Sequence, residues 1–153
     1  MELQFASNQA KFRFDGMEFV TKLVEGKFPD YNRVIPRNHK NILVLGRTAL
    51  LSAMQRAAIM TTDKFKGVRM SVEPGVLRLA ANNADQEEAV DEIDIEYTGD
   101  AIEMGFNVTY LIDALTNMSQ DMVRIELSDG NSSALITIPD NEHFKYVVMP
   151  MRI

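Results

Sequence analysis

Two hydrophobic periods alternate along this chain, and the switches between them mark its elements. Ile42, Leu43, Val44 and Leu45 form a short branched apolar run closed by Gly46, the pattern of a buried strand. From Thr48 the period lengthens. Leu50, Leu51, Met54, Ala57 and Ala58 share one helical face, and Arg56 points away from it. Period two returns at Val68, Met70 and Val72, and Pro74-Gly75 supplies a turn. Leu77, Leu79 and Ala81 then share a strand face, and Ile93, Ile95 and Tyr97 alternate with acids. Strand, helix and three strands make one unit.

Thr98-Gly99-Asp100 punctuates, and the same order starts again. Ile102, Met104 and Phe106 alternate, and Asn107 has the chemistry of a helix N-cap. Val108, Leu111, Ile112, Leu115 and Met118 form a second helical stripe. Val123, Ile125 and Leu127 follow as a strand, with a hairpin turn at Asp129-Gly130. Ala134, Ile136 and Ile138 form the next strand, and Phe144 to Met149 the last. Two βαβββ units thus fill residues 41–150. The first 27 residues belong to neither. Leu3 and Phe5, Phe12 and Phe14, then Phe19, Thr21 and Leu23 predict three strands joined at Asn8-Gln9 and Asp15-Gly16. They read as the tail of a third such unit, cut off at Met1.

Composition narrows the chemistry. An apolar share of 46% with 5 prolines is that of a globular chain. There is no cysteine, so disulfides and thiolate metal sites are excluded. His39 and His143 alone would need carboxylates to complete a zinc site, and no metal is expected. No apolar run approaches the roughly 20 residues that span a bilayer. The N-terminus lacks a signal-peptide plan, so no membrane association and a cytoplasmic location are expected. The net charge of −6 conceals two opposed stretches. Residues 28–69 carry eight basic side chains against two acids, a balance of +6. Residues 73–128 carry thirteen acids against two arginines, a balance of −11.

Three segments, KLVEGKFPDYNRVIP at 22–36, RAAIMTTDKFKGVR at 56–69 and YVVMPMRI at 146–153, carry a specific resemblance. With ANNADQEEA at 81–89 and GFNVTYLIDAL at 105–115, they resemble the C-terminal part of the bacterial DNA polymerase III beta subunit, the sliding clamp. The resemblance runs over essentially the whole chain and agrees with the double βαβββ pattern. It implies an α+β DNA clamp fold. Residues 1–36 would be the last strands of a middle clamp domain, and 37–153 a complete C-terminal domain built of two βαβββ repeats. The family's protomers have three similar domains and close as a ring homodimer around duplex DNA. This chain lacks a first domain, so a monomer is expected of it.

The resemblance also assigns residues. A pocket for linear motifs of polymerases, clamp-loader subunits and repair proteins would be formed by Pro29, Arg33, Val34, Asn107, Tyr110, Ser133, Val147, Met149, Pro150, Met151, Arg152 and Ile153. Methionine thioethers and an aliphatic C-terminus suit leucine and phenylalanine side chains. Asn107, Ser133 and Arg152 would fix the peptide's polar atoms. By pattern alone, the same apolar residues would also read as the end of a buried strand. Asn131 stands where relatives carry an aliphatic residue, and the part of the floor from the earlier middle domain is absent; a weakened site is expected. A protomer interface is assigned to Ile59 and Met60 with the acids Asp85, Glu87, Glu88 and Asp91. Such charges steer association more than they strengthen it. Arg37, Lys40, Arg47, Arg56 and Lys64 are candidates to face DNA phosphates, a contact that is sequence-independent and salt-sensitive.

Catalysis is not expected. The sequence holds no phosphate loop, nucleophile elbow or spaced histidine ligands, and Asp30 and Asp63 are isolated carboxylates. No cofactor is implied. The sequence therefore reads as a non-catalytic polymerase processivity factor fragment. The alternative is a free-standing peptide-binding module that competes with the full clamp for its partners.

Overall fold

A computed structural model of the chain describes residues 1–27, 30–37, 39–62, 65–83 and 87–153, apart from the side chain of Glu142. The chain divides into two compact units, Met1–Tyr31 and Asn32–Ile153. In the first unit, β1 (Glu2–Phe5), β2 (Gln9–Phe14) and β3 (Met17–Lys22) form an antiparallel sheet in that order. The β2–β3 turn places Asp15 and Gly16 at φ 46° and 77°, so both central residues have positive φ and the turn twists with its strands. Phe12 pairs with Phe19, their ring centroids 6.0 Å apart. A short helix, α1 (Tyr31–Val34), follows.

The second unit contains β4 (Asn41–Gly46), α2 (Arg47–Ile59), β5 (Gly67–Glu73), β6 (Val76–Asn82) and β7 (Glu88–Asp94). It continues with β8 (Ile102–Asn107), α3 (Val108–Thr116), β9 (Met122–Leu127), β10 (Ala134–Ile138) and β11 (Asn141–Val148). The two repeats interlock. One sheet runs β11-β10-β9-β4 and the other β7-β6-β5-β8, so each repeat gives its first strand to the other's sheet. β4 pairs antiparallel with β9, and β8 with β5. Neither repeat can therefore complete a sheet alone.

The core gathers from both repeats. Leu43, Leu50, Met54, Leu77, Leu79, Met104, Phe106, Leu115, Leu127 and Ile136 are fully buried in one cluster. Each such side chain contributes about 1.5–3 kcal/mol on leaving water. The helices lie side by side, and the start of α2 is tied to the end of α3. The Arg47 amide donates to Asp121 O at 2.8 Å, and its guanidinium donates to Gln120 O at 2.7 Å and Leu115 O at 3.2 Å. A cation on the last carbonyls of a helix also complements its dipole.

Two expectations from the pattern change. The strand expected through Tyr97 ends at Asp94. Ile95 and Tyr97 stay buried, but their backbones bond the Pro74-Gly75 turn, with Ile95 N donating to Gly75 O at 3.0 Å and Gly75 N to Tyr97 O at 3.1 Å. The alternation of buried and exposed residues thus continues past the end of β7, with Glu96 exposed between the two. Asp129-Gly130 opens a longer loop in place of a two-residue hairpin, organised by the Asp129 carboxylate. That carboxylate accepts from Asn131 N at 2.8 Å, Ser132 N at 2.9 Å and Ser132 Oγ at 2.8 Å. The tight turn is the next one, where Asp140 takes φ 60° between β10 and β11.

Candidate functional site

The C-terminal residues lie on β8, the edge strand of its sheet. Pro150 has no amide hydrogen and cannot continue the β11 ladder. The chain turns, and Met151 N donates to Gly105 O at 2.8 Å, laying the tail beside β8. The sequence at β8 and β5 permits this approach. A Cβ at Gly105 would collide with the Ile153 side chain and the Met151 carbonyl. One at Gly67 would come within 2.6 Å of Ile153 Cγ2 and 2.7 Å of the Phe65 ring. Ile153 is thus seated over two glycines, on neighbouring strands, that leave room for it.

Within this tail Met149 is 75% exposed; Tyr110, in the first turn of α3, is 54% exposed. Ile153 is 42% exposed, while Val147, Pro150 and Met151 are half-buried. Val147 pairs with Leu135, and Ser133 and Met149 follow one step beyond the Ala134–Val148 pair. Asn107 Oδ1 accepts from Thr109 N at 3.0 Å and so caps α3. Arg33 and Val34 stand exposed on α1, and Arg152 is exposed on the tail. Pro29 lies outside the described residues. The structure adds Phe65, partly exposed beside Ile153, which the sequence reading did not include. Its signal was an aromatic residue alone between Lys64 and Lys66, just before Gly67.

Of the acidic group, Glu88 and Asp91 lie on β7, the opposite edge of the same sheet, and Glu87 just before it. Glu87 and Glu88 are exposed there, and Ile59 is 79% exposed at the end of α2 with Met60 half-buried next to it. Asp91 is engaged by Arg56 at 2.6 Å, and that hydrogen bond holds the guanidinium's pKa above its ordinary value. Asp85 lies outside the described residues. This contact joins a residue expected to face DNA to one expected at an interface. Of the other candidate phosphate contacts, Arg47 holds the carbonyls at the end of α3. Arg37 and Lys40 are exposed before β4, and Lys64 lies outside the described residues. Arg47 and Arg56 lie about 14 Å apart along α2 at the usual rise per residue, so they do not form one cluster. Among the described residues, no group of three or more His, Asp or Glu stands close enough to hold a metal ion. No helix among them is long and apolar enough to cross a membrane.

Residues 32–152 match the model of the family described as DNA polymerase III beta subunit, C-terminal domain. The chain belongs to the DNA polymerase III beta subunit family. A beta sliding clamp from Pseudomonas putida is 48% identical over 135 residues, 88% of this chain and 37% of that protein. The crystal structure of the beta subunit from Pseudomonas aeruginosa superposes with a TM-score of 0.88 at 43% identity, covering 99% of this chain and 42% of that one. A further structure of that bacterium's clamp, bound to griselimycin, has a TM-score of 0.84 at 43% identity over 99% of this chain and 41% of its own. The clamp fold expected from the sequence is therefore the fold of this chain. The beta subunit region present here spans about two-fifths of the length of these relatives.

Proposed function

We propose that this chain acts as the part of a non-catalytic polymerase processivity factor that captures linear motifs of polymerases, clamp-loader subunits and repair proteins. One observation carries the reading. The tail is fixed by the Met151–Gly105 hydrogen bond and the glycine seat of Ile153, yet its Met149 and, on the helix that follows β8, Tyr110 remain uncovered. Exposed apolar groups held on a rigid support need little ordering when a peptide arrives, which spares part of the entropy cost of binding. Met149 and Met151 would take leucine and phenylalanine side chains, and the Asn107 amide and Arg152 the peptide's polar atoms.

In the whole protein the mechanism is topological. A closed ring homodimer slides on duplex DNA and tethers its clients, raising their effective concentration at the template without lowering a chemical barrier. The helix surface described here suits encirclement more than grip, because Arg47 and Arg56 are already engaged. The acidic β7 edge with Ile59 and Met60 would meet a basic surface of another protomer's first domain.

The test is fluorescence anisotropy with a labelled peptide of the glutamine-leucine-x-leucine-phenylalanine type. Met149→Ala and Met151→Ala should each weaken binding about tenfold or more, as loss of a buried contact at a peptide anchor does. Circular dichroism should show both variants folded. Unchanged affinity in both would reject the site.

A further inference from the structure

The β11-β10-β9-β4 sheet carries a hollow of about 450 Å³ on the face turned away from the core. Alternation along β10 sends Ala134 and Ile136 into the core cluster and leaves Leu135 and Thr137 on this outer face. A break in register lies beside them. Thr137 pairs with Lys145, but the next residue, Ile138, pairs with Asn141, so residues 142–144 have no partner on β10 and β11 bulges there. The volume lies within the range of ligand clefts, about 300–1,000 Å³.

The floor of the hollow is buried and its walls are charged. Thr137 is 8% exposed and Leu135 5%, and both stand outside the core cluster. The Thr137 hydroxyl makes no hydrogen bond among the described residues, a cost that a ligand oxygen would remove. Cross-strand pairing sets Arg124 on one side of Thr137 and Lys145 on the other. Glu126 accepts from Arg124 Nε at 2.8 Å, which holds the guanidinium in place and leaves its terminal nitrogens for a second carboxylate. The same contact neutralises Glu126. Asp140 lies beyond the register break, in the turn between β10 and β11. The centre of the hollow is therefore a row of cation, hydroxyl and cation, which favours an anion.

We propose that this hollow receives a glutamate or aspartate side chain from the segment flanking the captured linear motif, its carboxylate held by Arg124, Thr137 and Lys145. The proposal rests on the peptide site above, and continuity makes the connection. Val147, assigned to that site, pairs with Leu135 on the floor of the hollow, so an extended peptide that passes over Val147 reaches the hollow one strand further on.

The experiment compares three kinds of labelled peptide on the full chain: the bare motif, the motif extended by two glutamates at either end, and the motif extended by two lysines at either end. One glutamate extension should bind about fivefold more tightly than the bare motif at low salt, the effect of one favourable exposed ion pair. Arg124→Gln should remove that gain. Thr137→Val, which keeps the side chain's shape and every charge, should reduce it about twofold or more. Arg78→Gln makes the same charge change on the other sheet and should preserve the gain. All three variants should bind the bare motif as the parent chain does, which also reports that they are folded. No gain from either glutamate extension, or a gain that survives Arg124→Gln or is undiminished in Thr137→Val, would overturn the proposal. Loss of the gain in Arg78→Gln would reduce it to an effect of net charge, with the same consequence. Tighter binding of a lysine extension would assign the hollow to a basic flank through Asp140 and overturn it as well. Failure of the bare motif to bind the parent chain would instead remove the peptide site itself, and this extension with it.

Discussion

At the residue scale, Tyr97 shows how one polar atom can join two repeats. Its hydroxyl lies 2.7 Å from both Asn41 Oδ1 and Asp100 O, at the start of β4 and in the connection between the repeats. Asp100 N also donates to Asn41 Oδ1 at 3.3 Å. Burial raises the phenol above its ordinary pKa and keeps it a donor. Gly99 belongs to the same arrangement, since a Cβ there would stand 2.5 Å from the Tyr97 oxygen. The sequence revealed only that Tyr97 faces inward; the polar partners depend on the fold bringing Asn41 to it from 56 residues away. Tyr97→Phe should cost about 1–2 kcal/mol, leaving the Asp100 carbonyl without its donor. Urea denaturation measures this, and an unchanged midpoint would show the hydroxyl to be idle.

At the element scale, the strands and helices were largely legible because their periods are long and clean. Leu50 to Ala58 read as a helix and became α2; Val68 to Val72 read as a strand and became β5. The exchange of first strands between repeats was not legible. A βαβββ pattern fixes which residues face inward but not which neighbour a strand chooses, and β4 and β8 carry no mark of their partners. The Asp129 loop departs from the two-residue pattern for a related reason. Asp-Gly favours a two-residue hairpin, but here the carboxylate accepts three hydrogen bonds from Asn131 and Ser132 and holds a wider loop. Those bonds, chiefly the Asn131 amide, lower the Asp129 pKa from the usual carboxylate value, and His39 adds to the effect. A depressed folded pKa contributes stability above the unfolded pKa, near 4, and loses it as the pH falls through the folded one. Asp129→Asn should therefore be less stable than the parent chain at pH 7, with the gap narrowing toward pH 3. Denaturant midpoints at both values measure it, and a gap that does not depend on pH would contradict the assignment.

At the scale of the whole molecule, the residues assigned to peptide binding are scattered through the sequence. They come from α1, from the β8–α3 junction, from the approach to β10 and from the tail. Pattern alone could not group them, because a strand ending in Val147 and Met149 reads as core in isolation. Resemblance grouped them, and the fold supplies what resemblance did not: a tail held against β8, two glycines beneath Ile153, and Phe65 beside it. The basic side chains illustrate the opposite case. They form one stretch in sequence, yet Arg47 binds helix-end carbonyls and Arg56 binds Asp91. A run of like charge in the chain is no single surface once the strands and helices are folded. The central claim is that the tail forms the capture site on this chain. The most direct measurement is anisotropy of a labelled clamp-motif peptide titrated with the intact chain and with a version lacking Met149–Ile153, both checked for fold by circular dichroism. The account predicts binding by the intact chain and none by the shortened one. Equal binding by the two, or none by a folded intact chain, would contradict it.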